Sequence, residues 1–219
     1  MPAQISAVLQ RAQVILQDVL GTRWDEPELL NWFSDGRREI ATVRPTEFSK
    51  RVALPLARGT LQAVPAEAFQ LIRIDCNLAP GPQRVPGRAV TLVDRRVLDA
   101  MDPAWQDTRR VPYATVARHY TYDLNEPMAF YVYPGNTGTG VVEAAVAVLP
   151  VDAQATNEPL GVRDVFANAL LDYVLYRAFS KDADHEANMA RAREHYSNFA
   201  SLVGLPGVVE PHTTPAGGA

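Results

Sequence analysis

From Val162 to Val203 the chain reads VRDVFANALLDYVLYRAFSKDADHEANMARAREHYSNFASLV, without one Gly or Pro. So long a stretch with no breaker predicts helix. In its first half Val165, Phe166, Leu170, Leu171, Val174, Leu175 and Phe179 cover most of the girth, and Asp164, Asn168, Asp172, Tyr176 and Ser180 form one polar stripe at i, i+4 spacing. A helix this apolar has to be covered from several sides. The second half is amphipathic, with Met189, Ala192, Tyr196, Phe199 and Val203 on one face. Unbroken, ~40 residues would extend ~60 Å, against ~45 Å for a compact chain of this length. A break is therefore expected at Ser180–Asp184, where polar residues occupy the whole circumference and Asp182 or Asp184 is placed to cap a new helix. The result is an αα-hairpin that needs partners for both arms.

The N-terminal region supplies them. Ile5, Val8, Leu9, Ala12, Ile15, Leu16 and Val19 recur at helical spacing, with Gly21 following as a C-terminal glycine. Asp25-Glu26-Pro27-Glu28 is a D-x-x-E capping box, and Leu29, Leu30, Trp32, Phe33 and Ile40 carry the apolar face of a second, antiparallel helix to Arg44-Pro45. Phe166, Leu170, Tyr173, Val174 and Leu175 are expected to meet Leu9, Leu16, Leu29 and Phe33 in one helical core. After Pro45 the period becomes strand-like: Arg51–Leu54, a turn at Arg58-Gly59-Thr60, and Phe69–Leu78, with Pro55, Pro65, Pro80, Pro82 and Pro86 keeping strands short or at edges. Asp94 caps a short helix through Met101; Val116–Asp123 and Met128–Tyr133 form a hairpin, and Val141–Leu149 returns, an antiparallel meander. The fold class is α+β, N- and C-terminal helices packed as a bundle with an antiparallel β-rich region inserted. The expected segments are 1–47, 48–150, 151–204 and an extended arm at 205–219.

A chain that is 47% hydrophobic and 21% charged can bury a real core. The longest apolar run, Val141 to Val151, is interrupted by Glu143 and Pro150, so neither a signal peptide nor a membrane span is expected. The single Cys76 leaves no disulfide framework and no Cys pair for zinc. A net charge of −4 argues against a dedicated nucleic-acid binder. Lys50 and Lys181 are the only lysines among 21 basic residues, and Arg suits bidentate pairs and interfaces. Seven Arg (84, 88, 95, 96, 109, 110, 118) against four Asp (94, 99, 102, 107) make the middle the basic part of the chain.

Motifs for chemistry are sparse. Gly135, Gly138 and Gly140 suggest a phosphate cradle, but their spacing is not G-x-G-x-x-G, no Lys-Ser/Thr follows, and the next segment reads as a strand. His119, His185, His195 and His212 lack ligand spacing. Asp182, Asp184 and Glu186 lack the glycine and terminal Glu of a calcium loop and fit a helix first turn. Tyr120, Tyr122, Phe130, Tyr131 and Tyr133 alternate across two strands, as cross-strand packing requires. No nucleophile–base–acid set is present, so no enzyme, cofactor or metal is expected.

Several stretches in order resemble the adaptors that sit between portal and tail in short-tailed bacteriophages, a group including tail tubular protein A-like gatekeepers. They are Leu16-Gln-Asp18 with Arg23-Trp24, Glu28-Leu-Leu-Asn-Trp32, Arg44-Pro45, Gly59-Thr-Leu-Gln62 with Val64-Pro65, Val93-Asp94-Arg95 with Leu98 and Pro103-Ala-Trp105, Pro127 with Phe130-Tyr-Val-Tyr-Pro134, and Leu171-Asp-Tyr-Val-Leu-Tyr-Arg-Ala178 with Lys181-Asp182. The resemblance runs from Leu16 to about Val203 and leaves out the segment from Leu205. It implies a non-enzymatic virion subunit at the head–tail junction, made in the host cytoplasm. It further implies a dodecameric homo-oligomeric ring docked on the portal, with tail or nozzle proteins below and genomic DNA passing through the lumen. It carries no catalytic motif and no membrane partner.

A lumen that passes DNA should not hold phosphates, so the Arg excess is expected to face protein neighbours. Arg95, Arg96, Arg109, Arg110, Tyr176, Leu205, Val208 and Val209 are the candidate partner-interface residues. Leu205–Ala219, with Pro206, Pro211 and Pro215, cannot fold on itself and is expected to dock as an extended arm. Two other readings are a nucleotide- or phosphate-binding enzyme using Gly135–Gly140 and a DNA-binding module using Arg84–Arg118.

Overall fold

The structure, a computed structural model, describes residues 3–79, 81, 83–182 and 186–205. In chain order the elements are α1 (Ile5–Ile15), α2 (Glu26–Val43), β1 (Ser49–Pro55), β2 (Gly59–Ala63), β3 (Ala68–Leu78), β4 (Pro86–Ala89), β5 (Thr91–Leu92), α3 (Arg95–Met101), β6 (His119–Tyr122), β7 (Ala129–Asn136), β8 (Val141–Val148), α4 (Ala167–Lys181) and α5 (Glu186–Val203). This is the expected α+β class, with helices at both ends and sheets between. Two compact units divide the chain: Met1–Glu47 with Pro150–Ala219, and Phe48–Leu149.

In the helical unit α1, α2 and α5 all pack on α4, which answers the demand that its apolar girth makes. Phe166, Leu170, Tyr173, Val174 and Leu175 are buried with Leu9, Leu29 and Phe33. Val165 is the exception on α4's side: it lies in a 3-10 turn before the helix and is exposed. The long stretch does break where polar residues surround it, and α4 and α5 form the hairpin. Asp182 closes α4, and its carboxylate accepts from Asn188 Nδ2 in the first turn of α5 at 2.8 Å and from Arg23. The alternative cap, Asp184, lies outside the described residues. Arg44 Nε donates to Val203 O at 2.8 Å, tying the end of α2 to the end of α5. Gly204 then takes φ 75°, while the Leu205 N–H reaches Ala200 O and the Gly204 N–H reaches Ser201 O, a Schellman closure of α5.

The first helix stops four residues sooner than its apolar spacing predicts. Gln17 turns left-handed (φ 56°), Leu16 is only half-buried, and Val19 and Leu20 are exposed. The cause is Asp18, whose carboxylate accepts from the backbone N–H of Thr22, Arg23 and Trp24, each at 2.8 Å. A short acidic side chain that satisfies a turn competes with helix continuation. The Trp24 N–H first, with those of Arg23 and Thr22 and the Arg23 charge adding, holds the Asp18 carboxyl below the usual carboxylate range. A carboxyl depressed on folding stabilises above its unfolded pKa, and that contribution is lost as pH falls through the folded value. Asp18→Asn should therefore lower the urea midpoint at neutral pH, and the gap to the parent protein should close below about pH 4. A gap of the same size at both pH values would contradict this.

The second unit is a β-sandwich. One sheet has the order β1-β8-β3-β4 and the other β2-β7-β6-β5. Between them Leu54, Leu71, Ile74, Val142, Ala144 and Val146 of the first meet Tyr120, Phe130 and Val132 of the second. This corrects the expected meander: β6 and β7 do pair as an antiparallel hairpin, but β8 leaves β7 and inserts between β1 and β3 in the other sheet. Insertion between two strands pairs both edges of β8; Ala145 and Ala147, which alternate with its core residues, are buried as well, while Val141 and Glu143 on the same face are half-buried. The turn expected at Arg58–Thr60 is the start of β2, where Gly59 takes φ 122°. β5 and β6 pair in parallel, which requires a crossover, and α3 lies within that connection.

Candidate partner interface

In the sandwich unit, β5 and α3 face the β6–β7 hairpin across a cleft of ≈850 Å³. Asp94 opens α3 by accepting the Arg96 N–H at 2.8 Å, as its position before the helix predicts. Beneath the helix lies Trp105, 1% exposed, whose indole N–H donates to Asp99 Oδ1 at 2.8 Å and whose ring packs against Tyr131 and Tyr133. Arg95 lies over the Tyr131 ring at 4.6 Å and within 3.7 Å of Asp99. Arg95 and Arg96 thus come together at the cleft, one stacked and paired, beside Asp94, Asp99, Asp123 and Glu126.

The neighbouring arginines are neutralised in the same way. Arg110 Nε meets Asp102 Oδ1 at 2.7 Å, and Arg109, with its side chain 91% exposed, reaches Asp107 at 3.3 Å. The four aspartates of this stretch are therefore each engaged, as helix caps, indole acceptor or ion-pair partners. Acids outnumber arginines around the cleft mouth. Such a mixed surface suits recognition of protein and does not make the phosphate-neutralising track that a DNA-binding module needs.

Tyr176 belongs to a different place, in the helical unit. There α4 and α5 leave a groove of ≈310 Å³ lined by Tyr176, Met189, Ala192, Arg193 and Tyr196. The Tyr176 and Tyr196 rings lie 4.9 Å apart, and burial, with the charge of Glu39, raises the Tyr196 hydroxyl above its ordinary range, so that it stays neutral. Leu205 is half-buried and closes α5. Val208 and Val209 lie outside the described residues.

The glycine loop is not a cradle. Asn136, 0% exposed, turns its side chain into the loop: Oδ1 accepts from Gly138 N at 2.8 Å and Gly140 N at 3.0 Å, while Nδ2 donates to Thr115 O at 2.9 Å. The amides that would hold a phosphate are already taken. His195 Nδ1 lies 2.8 Å from Asp172 Oδ1, linking α4 to α5, and the imidazole stacks on Phe179. Among the described residues, no three His, Cys, Asp or Glu side chains gather as a metal set, and no helix is long and apolar enough to cross a membrane.

Three structural residues escaped the sequence reading. Arg37, 5% exposed on α2, donates to Val151 O at 2.6 Å, and burial lowers its pKa. Asn77 donates to Arg88 O and Ala117 O and accepts from Ala117 N, stitching the sandwich interior. Asn136 is the third. Only the Gly residues around Asn136 gave a signal, and it pointed to an external ligand.

No curated protein matches this chain. The model of the SU10 adaptor protein family matches residues 3–215. The match takes in most of the segment after Leu205 that the resemblance left out, and lends nothing to the narrower tail tubular protein A-like grouping. Covering nearly the whole length, it shows that the chain belongs to the SU10 adaptor protein family and is a structural adaptor of a bacteriophage.

Proposed function

We propose that this adaptor forms a closed homo-oligomeric ring, a dodecamer, that joins the portal to the tail or nozzle protein and surrounds the DNA channel. The observation that carries the reading is the family match across residues 3–215. Charge supports it. The net charge of −4 and the pairing of Arg95, Arg109 and Arg110 with local aspartates leave little fixed positive field to retain passing phosphates. DNA then traverses the lumen without sequence-specific contact, and Arg95, Arg96, Arg109 and Arg110 face protein neighbours. The subunit is made in the host cytoplasm and works at the head–tail junction.

Light scattering of the chain mixed with the portal of its parent phage, followed by cryo-electron microscopy of the complex, tests this. A ring seated on the portal is expected, with the four arginines off the channel wall. A chain that stays monomeric beside the portal would overturn the ring, and a pore lined by all four arginines would overturn the assignment of their partners.

A further inference from the structure

We propose that the cleft between α3 and the β6–β7 hairpin receives the segment Arg84–Arg88 of a second copy of this chain, with Val85 and Pro86 against its exposed leucines and Arg84 and Arg88 at its carboxylates. The second copy is supplied by the ring reading above, on which the inference rests.

The cleft is acidic and partly apolar. Of the four acids that line it, Asp99 is paired with Arg95, whereas Asp94, Asp123 and Glu126 make no ion pair among the described residues. Against them stands one unpaired arginine of the lining, Arg96. Leu92 and Leu124 line the same cleft at 58% and 68% exposure. Exposed leucines beside free carboxylates call for an occupant that is apolar and basic at once.

Arg84-Val85-Pro86-Gly87-Arg88 has that composition, with two arginines and no acid. All five residues are exposed, Val85 at 54%. Neither arginine makes an ion pair among the described residues. Arg84 also holds a left-handed φ of 45°, unfavourable for a side chain this large.

The segment and the cleft do not meet within one chain. Thr91 and Leu92 pair in parallel with His119 and Tyr120, so the cleft opens where β5 and β6 both end. Arg84 lies back along the same run of strand, ten residues before Asp94, or about 30 Å of extended chain. It is pinned there: Pro86 and Ala89 pair with Leu78 and Cys76 of β3, and Val85 O accepts from Ala79 N at 2.9 Å. Folding the segment back into its own cleft would unzip β4 from β3. A neighbour's segment meets no such limit. A cyclic ring of more than two subunits needs, on each subunit, two different surfaces that fit one another. A basic segment and an acidic cleft held apart on one sandwich meet that need.

The test mixes two full-length variants, Val85→Cys and Leu124→Cys, with and without the portal, and treats them with a short bismaleimide. A linked dimer is expected in the mixture well above the yield from either variant alone, which accounts for Cys76. Adding Arg84→Glu and Arg88→Glu to the first variant should cut that yield about tenfold, the scale of two exposed ion pairs turned repulsive. Adding Asp123→Arg and Glu126→Arg to the second as well should restore it. Every substituted side chain is exposed, so circular dichroism should match the parent throughout. No excess of linked dimer in the mixture under either condition, or a yield indifferent to the charge reversals, would overturn the proposal. Light scattering with the portal separates the two readings: a ring former that gives no linked dimer loses this contact alone. A chain that links with this charge dependence yet never assembles on the portal keeps the contact and loses the ring.

Discussion

Leu170→Ala is expected to destabilise the helical unit by about 2–5 kcal/mol, through lost transfer free energy and the cavity left behind. Leu170 is 0% exposed at the centre of α4, the helix on which α1, α2 and α5 all pack. Its position sets the cost toward the upper end. A Cβ on Gly36 of α2 would lie 3.2 Å from Leu170 Cδ2 and 3.0 Å from Tyr173 Cδ1, so α2 meets α4 at bare backbone. Position 36 has no side chain to swing into the space that the leucine vacates, and Tyr173 is held against the Phe199 ring at 5.0 Å. Urea unfolding followed by circular dichroism should show a lower midpoint at unchanged slope. An unmoved midpoint would remove Leu170 from the core.

The helical unit was legible because its signals are local. The 3.6-residue period of Leu29, Phe33 and Ile40 marks α2, and Asp25 caps it as the D-x-x-E spacing says, accepting the Glu28 N–H at 2.8 Å. The capping box is only half made, however: the Glu28 carboxylate turns away to Lys181 at 2.6 Å. Such departures share one physical origin. Asp18 and Asp182 sit where either a helix-end or a helix-start role satisfies local pattern, and their choice is fixed by which backbone groups and distant side chains come within reach. No window of sequence contains Arg23 and Asp182 together. Arg37 was hidden similarly, since a charged residue on an amphipathic helix reads as its wet face until Val151 O arrives from the far end of the chain.

The sandwich was legible as strands but not as sheets. Alternation identifies β3, β7 and β8 without saying which of them pair, and the nearest-neighbour meander places β8 beside β7. The connection at 137–140 carries the chain from β7 to the other sheet, and within β7 Gly135 lets the strand pass a Tyr113 ring that a Cβ would meet at 2.6 Å. The candidate interface divided along the same line. Arg95 and Arg96 were found from charge, whereas the Trp105 beneath them entered only through resemblance, because a lone tryptophan in a proline-flanked loop gives no period to read.

The loop itself gives the second large effect. Asn136→Ala is expected to cost the sandwich about 1–3 kcal/mol, because it leaves the buried Gly140 N–H unpaired, and a buried polar group left unpaired costs about that much, while the exposed Gly138 N–H and Thr115 O lose the same side chain but can turn to water. At Gly140, water cannot simply replace the amide. A Cβ on Gly140 would lie 2.3 Å from Asn136 Nδ2 and 2.4 Å from Thr115 O, so the loop is closed tightly around that side chain. Asn136→Asp separates the terms. It keeps the acceptor for the two glycine amides but places a carboxylate oxygen against the Thr115 carbonyl, so that it should fall between the parent and Ala variants at neutral pH and improve in acid, where the protonated oxygen can donate. Urea midpoints of the three proteins at two pH values decide it. An Ala variant as stable as the parent would mean that the loop's amides find other partners, and would reopen Gly135–Gly140 as a site for an external anion.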